Sequence, residues 1–267
     1  MKAKIFSLFG IALLAFLQSC SFQSETVISV NKDGSGTISE TAVVRIPNDK
    51  FKKGGGDKLA NDFLASMKSG ARDQRRSEQF GEGVSFFEDE EIEPNAGSRG
   101  LRVTYQFRDI NELSIPLTGN NREKNPENKV TFLFNDGRLT INLPKTNQDG
   151  NAAKRGELET EGFDPEDPNI LGELGPVVVT KDSLKGVKLG FKIVFPEGIK
   201  RTNSTFQKGQ TITLFEIDCD ELIKTSKGVS VIKKLLQSNA PQNLPDEGKK
   251  LKGIKVEPKN EVVVTLK

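Results

Sequence analysis

The sequence predicts an α+β fold: a mostly antiparallel β-sheet of about eight to ten strands with two helices packed on one face. Three observations lead there. Apolar and polar residues alternate in several separate runs, the mark of strands buried on one side only. Turn-forming pairs such as Asp136-Gly137 stand between adjacent runs, so neighbouring strands return antiparallel. Only two stretches carry apolar residues at helical spacing. With 34% hydrophobic and 28% charged residues, the 267-residue chain can fill one sizeable core or two small ones, and its composition is not that of a disordered protein.

The chain begins MKAKIFSLFGIALLAFLQSC. Lys2 and Lys4 precede an apolar run from Ile5 to Leu17, the layout of an export signal. That run is shorter than the about 20 residues a membrane-spanning helix needs. Leu17-Gln18-Ser19-Cys20 closes it and resembles the lipobox of bacterial lipoproteins, with a branched apolar residue three before the cysteine and a small one just before it. The resemblance implies that residues 1–19 are a signal peptide and that Cys20 becomes the first residue of the mature protein. There it would carry a thioether-linked diacylglycerol and, in many bacteria, a third acyl chain on its amine. Each buried CH2 contributes about 0.8 kcal/mol, so one chain attaches marginally while two or three hold. The implied protein is extracytoplasmic and lipid-anchored, with residues 20–25 as a short tether and 26–267 as a single domain. Ser21 is not the aspartate that retains enteric lipoproteins at the inner membrane, so in a Gram-negative cell the resemblance leans to the outer membrane. The alternative is an ordinary secretory signal cut ahead of Phe22, with Ser19 and Ser21 as its small residues.

Loss of Lys2 and Lys4 with the signal brings the 39 basic side chains down to parity with the 37 acidic ones. A neutral body gives no electrostatic case for nucleic acid or for a polybasic membrane patch. Of the two cysteines, a lipidated Cys20 leaves Cys219 without an intramolecular partner. Cys219 follows the apolar run Ile212 to Ile217, which points to a buried, inert thiol.

In chain order, Thr26 to Val30 and Thr37 to Ile46 make a hairpin about the turn Asn31 to Gly36, and Pro47 ends it. Residues 31–42 resemble an EF-hand calcium loop at their first ligand positions. Ala42 stands where that loop needs a bidentate Glu and the flanks read as strands, so no metal is expected. A helix follows from about Asp57, with Leu59, Phe63 and Met67 on one face. Arg72, Arg75 and Arg76 then read as a solvated loop.

Val84 to Phe87 starts a strand that runs into Glu88 to Glu93, an acidic stretch expected to be a solvated edge. Leu101, Val103, Tyr105 and Phe107 alternate with polar residues, and Asp109 to Leu117 turns the chain. Lys129 to Leu143 is a hairpin about Asp136-Gly137. Residues 144–176 form a long polar loop, and Val177 to Thr180 reads as a short strand. Val187 to Phe195 and Thr211 to Ile217 are strands. Asp220 caps a second helix containing Leu222, Ile223, Val231, Leu235 and Leu236, and Glu261 to Leu266 ties down the C-terminus.

The opening hairpin around Asp33-Gly34-Ser35-Gly36, the segment Tyr105 to Leu113, and Phe191 to Ile217 with Phe195-Pro196 and Thr202-Asn203 together resemble the LppM-type lipoprotein domain of bacterial envelopes. The resemblance covers about half of the body. It implies an antiparallel sheet covered by helices, with room for an apolar cavity, and brings no enzymatic residues.

Inventory argues against catalysis. Zero histidines remove the Ser-His-Asp and Cys-His pairs and the imidazole metal ligand. One mature cysteine makes no thiolate zinc site. No phosphate-binding glycine motif is present, and no cofactor or metal is expected. Asp218, Asp220 and Glu221 are the densest carboxylates off the acidic edge, and capping and solvation account for them. The expected function is therefore a non-catalytic binding or scaffold module of the cell envelope, anchored through Cys20, with an envelope protein or a lipid as partner. The other reading is a carrier holding an acyl or other apolar ligand in a cavity between sheet and helices. A carrier needs an interior cavity of about 300 Å³ or more, which separates the two.

Overall fold

The structure, a computed structural model, describes residues 21–45, 64–65, 68, 70–93, 98–116, 129–144, 184–228, 230–232 and 246–267. Among them the chain is sheet-rich with few helices. The opening strands β1 (Ser21–Val30) and β2 (Gly36–Arg45) pair over their whole length, with Ile28 opposite Ile38. Their turn is closed by its own side chains. Asp33 Oδ1 accepts from the Ser35 amide at 3.0 Å and from its hydroxyl at 2.7 Å, while Asn31 Nδ2 donates to Ser35 Oγ at 3.0 Å. The residues resembling calcium ligands thus satisfy one another.

After helix α1 (Gly70–Phe80) come β3 (Ser85–Ile92) and β4 (Ser98–Phe107). A 3-10 turn at Ile110–Glu112, capped by Asp109, leads to β5 (Ser114–Pro116), β6 (Lys129–Asn135) and β7 (Arg138–Asn142). Asp136 and Gly137 both take positive φ, 49° and 71°, as a two-residue hairpin turn of this hand requires. Then follow β8 (Lys188–Val194), β9 (Ile199–Thr202), β10 (Gln207–Lys208) and β11 (Thr211–Asp218). The short helices α2 (Cys219–Leu222) and α3 (Asp246–Lys249) precede β12 (Ile254–Val256) and β13 (Glu261–Leu266).

These strands form two sheets where the sequence predicts one. The larger has eight strands in the order β10-β11-β8-β1-β2-β4-β3, with β12 also on β11; the smaller has five, in the order β5-β6-β7-β13-β9. Pairing is antiparallel throughout except between β1 and β8. The alternation read from the sequence sets the inward faces: Ile28, Ile38, Leu101, Val103 and Tyr105 in the large sheet, Val130, Leu139, Ile141, Val262 and Val264 in the small one, are all buried in one continuous core. The chain changes sheet after β4, β7, β8, β9 and β12, and Phe195, at the change after β8, is buried. Polar pattern alone cannot distinguish one long sheet from two that share a core.

Helix α1 replaces the expected loop around Arg72, Arg75 and Arg76. Its buried stripe is Asp73, Ser77 and Phe80, a helical spacing carried mostly by polar residues and therefore silent in an apolar count. Arg75 is exposed, but Arg76 reaches down to the large sheet and its Nε and Nη2 bond the buried Glu40 carboxylate at 3.0 and 2.5 Å. Phe80 meets Tyr105 edge to face at 5.1 Å, and the Arg76 guanidinium lies 4.5 Å from the Phe80 ring centre.

Of the helix expected from Asp57, Leu64 and Ala65 are helical and Leu64 joins the core; its other residues, except Lys68, lie outside the described residues. The second expected helix is a single turn, α2, and its cap is Asp218, whose Oδ1 accepts from the Asp220 amide at 3.0 Å. Residues 226–228 and 230–232 are again helical, and Val231 and Ile232 are buried. Gly228 is needed there, because a Cβ would stand 2.1 Å from the Leu222 carbonyl oxygen. Cys20, the Val177 to Thr180 strand, Leu235, Leu236 and all but the first residue of the 144–176 loop lie outside the described residues.

Candidate functional site

The three carboxylates that the sequence offers for chemistry are each engaged. Asp218 caps α2 with one oxygen and takes the Lys188 ammonium on the other at 2.8 Å. Asp220 accepts from the Gly186 amide at 2.7 Å, which fastens the turn ahead of β8 to the start of α2. Glu221 takes Lys224 at 2.7 Å and Lys252 at 2.9 Å, and these two, Lys224 foremost, lower its carboxyl to about 2. Lys255 likewise bonds Glu216 at 2.6 Å. The basic stretch near the C-terminus is thus interlocked with the carboxylates of β11 and α2.

Cys219 sits just after this cap, 3% exposed. Burial, followed by the neighbouring Asp218 and Asp220, pushes its thiol up to about 12. At neutral pH essentially no thiolate exists, so the residue is packing and not a nucleophile.

The outer face of the large sheet is polar. Lys192 bridges Glu25 of β1 at 2.5 Å and Glu216 of β11 at 3.6 Å. Burial works against the Lys192 charge, but Glu25 and Glu216 outweigh it and its pKa is raised. For Glu216, burial is likewise outweighed, by Lys255 and then Lys192, and the carboxyl is lowered.

An open cleft of about 700 Å³ lies at one end of this sheet, where the β1–β2 turn, the start of β3 and the end of β4 meet. Thr37, Ser85, Gln106 and Arg108 bring polar groups to it and Val84 and Phe107 apolar ones, while the Asn31 amide and the Ser35 hydroxyl on its wall are bonded within the turn. Gly36 permits the tight approach beneath it, since a Cβ there would lie 1.9 Å from the Ser29 carbonyl oxygen and 2.7 Å from the Phe107 ring. Sequence reading missed it because its residues come from three separated segments and belong to turn and strand-end chemistry in each. Among the described residues no group of three or more acidic or cysteine side chains is placed to hold a metal ion.

At the sheet's edge, β3 runs with every residue from Ser85 to Glu91 exposed, as the acidic composition of its second half predicts. Glu90 pairs with Arg102 at 2.9 Å and Glu91 with Lys68 at 2.6 Å, both on the surface. Phe86 and Phe87 are exposed beside them, at 42% and 55%.

No protein-family model and no curated protein matches the chain. Among solved structures, the NMR structure of the folded domain of LppM from Mycobacterium tuberculosis matches with 9% identity and a TM-score of 0.29, covering 80% of this chain and 86% of that one. No helix among the described residues is long and apolar enough to cross a membrane.

Proposed function

We propose that this protein is a lipid-anchored, extracytoplasmic module of a bacterial envelope that acts by binding and not by catalysis. The observation that carries the binding half is the engagement of Asp218, Asp220 and Glu221, each of which caps a helix, fastens a turn or pairs with lysine. A general acid must hold a proton near neutral pH and a general base must take one up, and the Glu221 carboxyl, lowered to about 2 by its lysines, suits neither. The anchoring half rests on the lipobox resemblance at Leu17 to Cys20. The cleft at the end of the large sheet, lined by polar and apolar groups together, supports the binding reading as a place for a ligand.

Two measurements test the halves separately. Cys20→Ala should release the mature body from the membrane to the soluble extracytoplasmic fraction; unchanged retention defeats the anchor. Purified protein should leave peptidoglycan fragments and lipid esters intact, and turnover of either defeats the binding reading.

A further inference from the structure

The large sheet ends on β3, and that edge differs from the others. Its residues pair with β4 on one side, all but Phe87, and no strand among the described residues lies on the other. The terminal strands elsewhere are short: β10 has two residues, β12 and β5 three and β9 four. An antiparallel edge strand turns alternate N–H and C=O groups outward, where a further strand can take them up. A bulge between Phe86 and Glu88 shifts the register there. Phe86 leans edge-on to the buried Tyr105 at 6.3 Å, and the Phe86 and Phe87 rings are open to solvent.

Charge along an edge is a common guard against self-pairing, and here it works as one. A second copy of β3 would set Glu88 to Glu91 against the same carboxylates. That guard does not account for the two aromatic rings, which raise the risk it is meant to lower. A complementary partner accounts for both features. By strand alternation Glu88 and Glu90 face one side and Asp89 and Glu91 the other, so an added strand with basic residues would find a carboxylate across from it on either face. The present counterions, Arg102 and Lys68, hold Glu90 and Glu91 in solvent-exposed pairs, which are weak and exchange readily.

We propose that the outer edge of β3, unpaired among the described residues, takes up an extended, lysine- or arginine-rich segment of another polypeptide as an added strand, with Phe86 and Phe87 covering its apolar residues. This rests on the reading that the protein acts by binding. The probe is a fluorescein-labelled peptide of about ten residues alternating lysine and valine, matched to the length of the edge. The control replaces alternate valines with proline, which keeps the charge and removes the strand. With the full chain in detergent, fluorescence anisotropy should show the first peptide bound at least about ten-fold more tightly than the control.

Glu88→Lys combined with Glu90→Lys, and Phe87→Ser separately, should each weaken binding by about ten-fold while the circular dichroism and Tm of the variants stay those of the parent. Amide exchange at the outward N–H groups of β3 should slow when the peptide is bound. Equal binding of the proline peptide, no binding of either peptide, or unchanged exchange at β3 overturns the proposal. Turnover of envelope substrates would instead overturn the binding-only reading and leave the peptide measurement standing.

Discussion

Cys219 shows how a residue's neighbours settle its chemistry. A thiol raised to about 12 by burial, and by Asp218 and Asp220 beyond that, is unreactive at neutral pH. Alkylation of the native protein should therefore be far slower than in denaturant, and Cys219→Ala should destabilise by about 1 kcal/mol with binding intact. Rapid labelling of the folded protein would restore a redox role. Glu216 and Lys192 give a pH prediction. The Glu216 carboxyl is lowered in the folded state, so the stability it adds is present above its unfolded value near 4.5 and fades as pH falls through the folded one. The Lys188 and Lys192 ammonium groups are raised above 10.5, so their contribution is complete below that value and fades as pH climbs past it. Tm should thus have acid and alkaline limbs, and Glu216→Gln should flatten both. An unchanged acid limb would remove Glu216 from the account.

At the scale of elements, α1 is held by chemistry that periodicity does not register. Burial opposes the Arg76 charge, yet the Glu40 carboxylate outweighs it and keeps the guanidinium pKa above its ordinary value. Arg76→Ala removes a bidentate partner from a carboxylate only 8% exposed, at a cost of about 3 kcal/mol, whereas Arg76→Met with Glu40→Leu should recover most of that loss. Urea unfolding of the three proteins measures it, and a double variant as unstable as the single one would count against the pair. The strands were more legible than this helix. β4, the β6–β7 hairpin and β8 lie where the alternation and the Asp-Gly turn put them, because each buries one face and wets the other. The strands silent in the sequence, β5, β9, β10 and β12, have two to four residues, too few to show a period.

Over the whole molecule, β13 matters most, since the last strand in sequence is an interior one in space, between β7 and β9. Val262, Val264 and Leu266 bury their side chains there. Deleting residues 261–267 should abolish cooperative thermal unfolding followed by circular dichroism, instead of trimming a frayed end; a retained sharp transition would show that the small sheet closes without it. By itself the sequence determined which faces of the long strands turn inward, where the hairpins fold, and that Cys219 is buried, because alternation, turn residues and apolar flanks are local properties. Only tertiary structure decided that the strands divide into two sheets, that β1 runs parallel beside β8, that Arg76 finds Glu40, and that three distant segments meet in one cleft. Those depend on which of several equally patterned surfaces lie against one another, and such choices rest on contacts between residues far apart in the chain.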